Sequence, residues 1–318
     1  MRQMTLHQQT VGIDDMELYV PSLYLPIEEL SKKRNIDFGK LHNGLGLKSM
    51  AFPDVHEDAA TMAANAILKL IKRNNIHPSQ IGRIYLGTES ALDDAKPTAS
   101  YALDMLISYF SPQFGEDCFL NCDVVDLNFA CIGGVDALQN TLDWVNGDKE
   151  RIGIVVTSDI AKYELGSSGE YTQGAGAIAI LVKQNPRLLA IYDIWGIGTR
   201  PVHDFFKPKR LADKTQIIRE VLDYAGIDGV EPAQILGNID HSLTVNGILD
   251  CNESLITIHK QTPVFDGPYS NQCYQDRIKE AFVNFSKKAT LKGMGPNGQT
   301  LTECWDRIVF HLPYAYQG

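Results

Sequence analysis

One of the six cysteines, Cys131, stands in a sequence setting that suits a nucleophile. It follows a stretch predicted to be a buried strand, and Gly133 and Gly134 lead from it into an amphipathic helical pattern. Glycines at this place allow a sharp turn and a close approach of backbone to ligand. Amide groups and the positive dipole end at a helix start favour a thiolate and can stabilise the oxyanion of an attacked thioester. The sequence therefore suggests acyl transfer through Cys131, with a packed cysteine before a glycine turn as the alternative.

Glu89 is the candidate general base. It closes the predicted strand 81–90, and open α/β sheets place reacting groups at the carboxyl ends of their strands. A carboxylate at such a place can remove a proton from a bound substrate. The alternative is a carboxylate that caps the helix after Pro97, a role for which the neighbouring Asp93 and Asp94 are better placed.

His311 is the third candidate. It ends an apolar run, IVFH, and Pro313 prevents continued strand pairing just beyond it. An imidazole can donate a hydrogen bond to a carbonyl and polarise it. The alternative is a structural histidine with satisfied hydrogen bonds.

An alternation of strands and helices must position these three residues. Strands are predicted at 11–20, 81–90, 118–128, 151–159, 175–182, 188–195 and 306–314, and helices at 58–73, after Pro97, from Cys131 to Gly147, at 209–226 and at 272–288. This order predicts parallel strand pairing with helices on both faces of a sheet. The stretch 226–262 is rich in turns and has weak periodicity, so it is interpreted as an insertion.

Charge and cysteine spacing exclude several classes of function. The net charge of −10 argues against nucleic acid as a partner. A local basic cluster at Lys207, Lys209 and Arg210 is a candidate for binding an anionic ligand, with a solvated surface turn as the alternative. No cysteine pair has CxxC spacing, which argues against a zinc site. No apolar run of about 18 residues and no secretory signal are present, so we predict a cytoplasmic protein without membrane contact.

Several motifs, collinear between residues 11 and 316, resemble those of the hydroxymethylglutaryl-CoA synthase family. The matching segments are GIDDMELYVPSLYLPIEELSKKRNID, NGLGLKSMAF, GTESALDDAK with Glu89, NFACIGGVDAL with Cys131, SSGEYTQGAGAIAILV (167–182), HDFFKP (203–208), FDGPYSNQCY (265–274) and VFHLPY with His311. Several such motifs in one order are far more specific than any one of them.

The resemblance implies an α/β protein of the thiolase-like fold, in which two similar βαβαβαββ halves form a five-layer αβαβα arrangement. Residues 1–185 are expected to form the first half, with the nucleophile. Residues 186–318 are expected to form a second half that is incomplete relative to the family and contains the insertion at about 209–262.

The resemblance also implies a mechanism. Cys131 would take the acetyl group from acetyl-CoA, Glu89 would remove a proton from its methyl group, and His311 would orient acetoacetyl-CoA for attack by the enolate. Water would then release the product. Tyr163 matches an active-site tyrosine of the family, while Thr172, Phe206 and Pro313 match positions near the acyl or pantetheine path. No metal or organic cofactor is expected beyond the CoA carrier, and a homodimer is expected.

Two alternatives to hydroxymethylglutaryl-CoA synthesis remain from the sequence. One is a polyketide β-branching synthase that acts on carrier-protein-bound β-ketoacyl groups, and the other is a non-catalytic scaffold of thiolase-like fold. Departures from the family pattern bear on both. Ile132 and Val135 stand where the family has Tyr and Thr, Lys162 stands where Arg is common, and His203 where Tyr is common.

Overall fold

The computed structural model describes residues 10–238, 254–294, 303, 305–312 and 314–316. The chain divides into two compact units, Met1–Arg200 together with Asp276–Gly318, and Pro201–Gln275. The boundary between halves after residue 185, which rests on the family resemblance, stays a prediction.

Strands and helices alternate over much of the chain. The strands are β1 (Val11–Tyr19), β2 (Leu23–Pro26), β3 (Ser49–Phe52), β4 (Ile81–Gly87), β5 (Asp123–Leu127), β6 (Ile152–Ala161), β7 (Gly174–Gln184), β8 (Leu189–Ala190), β9 (Phe205–Phe206), β10 (Arg210–Asp213), β11 (Leu255–Ile258) and β12 (Val264–Phe265). The helices are α1 (Ile27–Arg34), α2 (Ala59–Asn74), α3 (Thr98–Phe114), α4 (Gly133–Asn146), α5 (Lys214–Ala225), α6 (Pro232–Gly237) and α7 (Gly267–Leu291). Among the residues described, no helix has both the length and the apolar character needed to cross a membrane.

A six-stranded mixed sheet, in the order β5-β4-β6-β7-β1-β8, forms the centre of the first unit. The predicted parallel pairing is correct for β4 with β5 and for β4 with β6. It is wrong for β7, which pairs antiparallel with both β6 and β1. The reason is that β6 returns directly into β7 through a loop, whereas a parallel partner needs a crossover connection. The α/β class is confirmed.

The strands of this sheet place alternate side chains on two faces, as a period of two requires. On one face, β4 and β6 pack Ile84 and Ile154 into a core shared with α2 and α3. On the other face, Val155 and Val182 pack with α4. The helix α2 begins at Asp58, whose carboxylate accepts a 2.7 Å hydrogen bond from the Thr61 amide. Helices therefore cover both faces, as the sequence predicts.

A separate layer, formed by residues 23–52, packs around its own small core. In this 23–52 layer, β2 pairs antiparallel with β3, and α1 leads into a π-helical turn at Lys40–Gly44. The core is built of apolar side chains that are almost completely buried: Ile27, Leu30, Leu41 and Met50. Tyr171, which lies far away in sequence, packs against this core.

The second unit contains two small antiparallel strand pairs, β10 with β11 and β9 with β12. The helix predicted at 209–226 begins only at Lys214, because Arg210–Asp213 forms β10 and the Asp213 carboxylate then accepts from the amides of Thr215 and Gln216. The predicted insertion is partly described. Residues 239–253 of it lie outside the described residues.

Three predicted strands differ from the observed structure. The strand predicted at 118–128 is confined to β5, because Cys118 to Asn121 form a turn. The strand at 188–195 shortens to the two residues of β8. The strand at 306–314 is wrong over the described residues 305–312, which carry no strand assignment. An apolar run favours an extended chain, but a strand also needs a partner backbone with which to pair.

Asp14 is a deeply buried acidic side chain in β1, near the start of that strand. It accepts hydrogen bonds from the Arg187 amide at 3.0 Å and from its guanidinium at 2.6 and 2.9 Å, and Lys183 lies 3.2 Å away. Desolvation acts to raise the pKa of Asp14, but these partners outweigh it and the pKa is lowered. The cluster fixes the turn between β7 and β8 against β1.

Candidate active site

The structure brings Cys131 and Glu89 together at the carboxyl ends of β4 and β5. β4 ends at Gly87, so Glu89 lies two residues beyond the strand rather than at its last position. β5 ends at Leu127, and Cys131 lies in the turn before α4. The Cys131 Sγ is 3.8 Å from Glu89 Oε1. The two candidate residues, Cys131 and Glu89, therefore lie side by side.

Glycines make this approach possible. A Cβ at Gly87 would collide with the backbone of Gly133 and Gly134 at the start of α4. A Cβ at Gly134 would collide in turn with the side chain of Thr157 on β6. The first turn of α4 therefore rests directly on the strand ends, and this holds Cys131 close to Glu89.

Asp159 orients Glu89 and was not identified from the sequence. Its Oδ1 accepts a 2.6 Å hydrogen bond from the Glu89 amide and a 3.0 Å bond from the Thr88 hydroxyl. Desolvation raises the pKa of Asp159, and the Glu89 charge acts in the same direction. Asp159 comes near the end of β6, beside β4 in the sheet. The rule that polar residues at neighbouring strand ends converge could have found it.

The loop after β4 resolves the alternative role of Glu89. Asp93 accepts hydrogen bonds from the amides of Ala95 at 2.7 Å and Lys96 at 2.9 Å, and from the Tyr101 hydroxyl at 3.0 Å. The first amides of α3 are capped by Asp126, which accepts from Ala99 at 2.9 Å. Capping and turn formation are therefore carried by other carboxylates than Glu89.

The electrostatics of Cys131 differ from the sequence prediction. Desolvation is the main cause that raises the pKa of the Cys131 thiol to about 11, and the charge of Glu89 adds to it, although the residue as a whole is exposed. The direction of this pKa shift is opposite to the one that the start of α4 leads us to expect. A helix dipole contributes only a modest shift, whereas desolvation and a nearby carboxylate each oppose the charged thiolate.

Tyr163 and Thr172 belong to the same site. A side-chain hydrogen bond joins them, and desolvation raises the pKa of Tyr163 with further contributions from Glu89 and Cys131. Both residues lie in the loop that connects β6 to β7. The Thr172 hydroxyl donates to the Gly169 carbonyl at 2.8 Å, and the Tyr163 amide donates to Gln173 Oε1 at 2.7 Å. Internal hydrogen bonds thus hold this loop in a closed conformation close to Cys131.

His311 is exposed and lies within electrostatic reach of Glu89. Desolvation lowers the pKa of its imidazole, while the Glu89 carboxylate acts to raise it. The neutral imidazole that results can donate one hydrogen bond. His311 therefore reaches the same carboxylate as Cys131 and Tyr163, although it is carried by a segment without strand pairing.

Two predicted site residues, Phe206 and Pro313, stay predictions. Phe206 lies in β9 of the second unit, where its ring is 5.7 Å from that of His203. Pro313 lies outside the described residues, as do Cys251 and Cys304. Over the part of the chain that is described, no group of three or more His, Cys, Asp or Glu side chains could hold a metal ion. The absence of a cofactor stays a prediction.

A thiol, a carboxylate within 4 Å of it and a neutral imidazole form a set that can perform carbon–carbon bond formation on a thioester. The thiol can accept an acyl group. The carboxylate can then remove a proton from the carbon next to the new carbonyl, and the imidazole can polarise the carbonyl of a second substrate.

Comparison with known proteins supplies a family. The profile described as "Hydroxymethylglutaryl-coenzyme A synthase N terminal" matches residues 7–186, more than half of the chain. The hydroxymethylglutaryl-CoA synthase of Enterococcus faecalis is 34% identical over 97% of this chain and 62% of its own length. That of Haloferax volcanii is 30% identical over 96% of this chain and 55% of its own length.

Solved structures agree with these sequences. The structure described as "MvaS in complex with 3-hydroxy-3-methylglutaryl coenzyme A" superimposes with a TM-score of 0.74 at 28% identity, covering 97% of this chain and 61% of that one. The curacin-pathway HMG synthase in complex with an acetyl donor carrier protein gives a TM-score of 0.70 at 20% identity, which shows the shared fold alone. The chain thus spans somewhat more than half the length of the relatives it matches.

Proposed function

The chain belongs to the hydroxymethylglutaryl-CoA synthase family, and on that premise we propose that it condenses acetyl-CoA with acetoacetyl-CoA to give hydroxymethylglutaryl-CoA. The observation that carries this proposal is the 3.8 Å approach of the Cys131 thiol to the Glu89 carboxylate, with Tyr163 and His311 in reach of the same carboxylate. The enzyme would be an acyltransferase that acts in the route to mevalonate and isoprenoids.

The first step is transfer of the acetyl group to Cys131. The sulfur attacks the thioester carbonyl of acetyl-CoA, its C–S bond to CoA breaks, and the thiol proton ends on the departing CoA sulfur. Because the pKa of Cys131 is about 11, the thiol is protonated at neutral pH and loses its proton only as the attack proceeds. Amides at the start of α4 would stabilise the oxyanion.

The second step forms the carbon–carbon bond. Glu89 removes a proton from the methyl group of acetyl-Cys131, and the enolate carbon attacks the ketone carbon of acetoacetyl-CoA. His311 donates a hydrogen bond to that ketone oxygen, which becomes the hydroxyl of the product after it takes up a proton. Hydrolysis of the bond to Cys131 then gives the free carboxylate and restores the thiol.

Tyr163 and Thr172 are the proposed wall of the acetyl site. Their mutual hydrogen bond and the closed loop that carries them fix the side of the pocket facing Cys131. Phe206 and Pro313 keep their proposed roles along the pantetheine path from the family resemblance alone.

CoA thioesters are favoured over carrier-protein thioesters as substrates. The supporting observation is that relatives named as CoA synthases reach 30 to 34% identity, whereas the carrier-protein enzyme reaches 20%. A non-catalytic scaffold has no comparable support, because Cys131, Glu89 and the surrounding hydrogen bonds are all in place.

We further propose a homodimer formed along β5. This strand is the edge of the sheet, and an edge presents unpaired backbone groups. The residues beside it are apolar and exposed, with Phe129 53% and Ile132 54% accessible. Pairing of two copies would cover this surface next to Cys131. Light scattering coupled to size-exclusion chromatography would measure the mass in solution.

Intact mass spectrometry after incubation with acetyl-CoA tests the function. We expect an acetyl adduct on the wild type that disappears in Cys131→Ala and persists in Cys122→Ala. Cys122 is a matched control because burial raises its pKa to about 12 and its thiol lies against the Asp123 carbonyl, at the opposite end of β5 from Cys131. A folded wild type that forms no adduct would overturn the proposal.

A further inference from the structure

The 23–52 layer touches two segments of the active site at two separate points, and neither contact takes part in the chemistry described above. We propose that this layer is the positioning element of the site. Arg34 fixes the loop that carries Tyr163 and Thr172, and Gly46 seats the segment that carries His311. The kinetic consequences rest on the proposed function, whereas the positioning itself stands on the contacts alone.

The first contact is a two-point ion pair. Arg34, the last residue of α1, donates from Nε to Glu170 Oε2 at 2.8 Å and from a terminal nitrogen to Oε1 at 2.6 Å. Glu170 is only 4% exposed, and its Oε2 also accepts from the Gly166 amide at 2.8 Å. The Arg34 hydrogen bond is the main cause that lowers the pKa of Glu170. A paired guanidinium fork of this kind fixes direction as well as distance.

This ion pair lies next to the functional side chains in sequence. Glu170 stands two residues before Thr172, and the intervening Tyr171 packs into the core of the 23–52 layer. Thr172 in turn is hydrogen-bonded to Tyr163. The path from α1 to the acetyl site therefore consists of one ion pair, one apolar contact and one side-chain hydrogen bond.

The second contact is at Gly46. This residue has a φ of +75°, and a Cβ there would lie 2.8 Å from the Ala315 Cβ and 3.1 Å from the Tyr316 ring. A side chain at position 46 would thus be strained in its own backbone and would displace the segment against it. His311 lies four residues before Ala315 on that segment. Only a glycine at position 46 allows Ala315 and Tyr316 to pack this closely against the backbone.

The layer that makes both contacts is itself well fixed. The Ile27 amide donates to the Lys48 carbonyl at 3.0 Å, and the Leu47 amide donates to the Leu41 carbonyl at 3.1 Å. Ile27 and Leu41 have no exposed surface. Because these bonds join α1 to the turn that contains Gly46, the two contact points belong to one packed layer.

Two variants with matched controls separate the two contacts. Arg34→Gln removes the guanidinium fork, and Lys32→Gln is its control, since Lys32 on the same helix pairs with the exposed Glu28 and Glu29 of that helix. Gly46→Ala adds the Cβ, and Gly44→Ala is its control, because a Cβ at Gly44 would meet nothing within 4 Å. If Arg34→Gln fails to fold, Glu170→Gln replaces it, and Arg34→Lys should give an intermediate effect.

Two half-reactions provide the kinetic readout. Arg34→Gln should slow acetylation of Cys131 by about 10-fold, because the acetyl site loses its wall, whereas Gly46→Ala should leave acetylation unchanged. Gly46→Ala should slow the reaction of pre-acetylated enzyme with acetoacetyl-CoA by about 100-fold. Both controls should match the wild type in both half-reactions. A purely structural loss of stability would slow the two half-reactions together.

Hydrogen–deuterium exchange provides a readout that needs no activity. Arg34→Gln should speed exchange of the amides in 162–173 and not in 305–316, and Gly46→Ala should do the opposite. If the two variants speed exchange in different segments but the wild type forms no acetyl adduct, the positioning role stands and only the proposed function is overturned. Equal changes in both segments, or none in either, would overturn the positioning role.

Discussion

Asp14 and Asp159 are carboxylates at opposite ends of the central sheet, and their surroundings shift the two pKa values in opposite directions. Asp14 lies near the start of β1, where Arg187 and Lys183 compensate its charge and its pKa is lowered. Asp159 lies near the end of β6, beside Glu89 and not far from Cys131, and its pKa is raised. At the Asp14 end of the sheet, cations neutralise the buried carboxylate and stabilise the fold. At the Asp159 end, two carboxylates and the Cys131 thiol lie close together.

This difference shows how one scaffold supports two purposes. Desolvation is the largest single influence on the pKa of both carboxylates, so burial alone does not decide the outcome. The partners decide it: cations at the Asp14 end, and backbone amides, hydroxyls and a second carboxylate at the Asp159 end. Like charges gathered at strand ends are typical of catalytic sites, where shifted pKa values suit the groups to the reaction.

The largest effect is expected from Glu89→Gln, which removes charge from the functional end. Condensation should fall by about 1,000-fold, because the general base is lost. Acetylation of Cys131 should persist, because Glu89 is among the causes that raise the pKa of the thiol. The pH dependence of Cys131 alkylation by iodoacetamide should therefore shift to lower pH. Asp94→Asn, on the same loop, is the control, and loss of acetylation in Glu89→Gln would contradict its assigned role.

The next largest effect is a loss of stability at the Asp14 end of the sheet. Asp14→Asn leaves Arg187 and Lys183 without their carboxylate and should lower the free energy of unfolding by about 2 kcal/mol. Urea denaturation would measure it. Glu28→Gln, in an exposed pair with Lys32, should change stability by less than about 0.5 kcal/mol. The alkylation profile of Cys131 should be the same in both variants, and a shifted profile in Asp14→Asn would mean that the two ends are coupled.

A smaller and opposite effect on stability is expected from Asp159→Asn. An amide keeps an oxygen for the Glu89 and Thr88 donors and removes a desolvated charge, so the protein should gain about 1 kcal/mol at neutral pH. Condensation should slow by about 10-fold, because Glu89 is held less firmly. Unfolding curves and turnover rates measured on one preparation would check both signs. If Asp159→Asn lowered stability and kept full activity, Asp159 would be a stabilising residue like Asp14, and the contrast between the two would be wrong.

The smallest effect is the pH dependence of stability. A lowered folded-state pKa means that Asp14 contributes stability that is present above its unfolded pKa of about 3.9 and is lost as the pH falls through its folded pKa. A raised folded-state pKa means that Asp159 favours folding at low pH and loses that contribution as the pH rises from about 3.9 through its folded pKa. Stability measured from about pH 3 to about pH 7 should thus become less steep in Asp14→Asn and steeper in Asp159→Asn.

The sequence predicted the residues that meet at the strand ends but not the electrostatics they create. Cys131 and Glu89 follow recognisable strands, and the glycines after Cys131 predict the close turn that the structure contains. The direction of the Cys131 pKa was wrong, because the helix start is local in sequence whereas its desolvation and the carboxylate of Glu89 come from tertiary packing. Asp159 was missed for the same reason. It becomes functional only when β6 places it beside β4.

Pairing was the second limit of the sequence. Hydrophobic alternation located β1, β4, β6 and β7 within a few residues but did not say which strands run parallel. The apolar run at 306–314 predicted a strand, and the described residues there have no strand pairing, although His311 still lies within reach of Glu89. The sequence located most strands along the chain, but it did not identify the strand with which each one pairs.

The loop between β6 and β7 could be exchanged as one segment. Its two ends are fixed side by side, because Ala161 and Gly174 are partners in the antiparallel ladder, and its interior closes through Tyr163 and Gln173. A segment whose ends are fixed by strand pairing can change in composition without disturbing the strands that carry it, provided that its Glu170 and Tyr171 contacts to the 23–52 layer are kept. Exchange of this one short segment would therefore alter the surroundings of Cys131, while the strand ends that hold Cys131 and Glu89 together stay as they are.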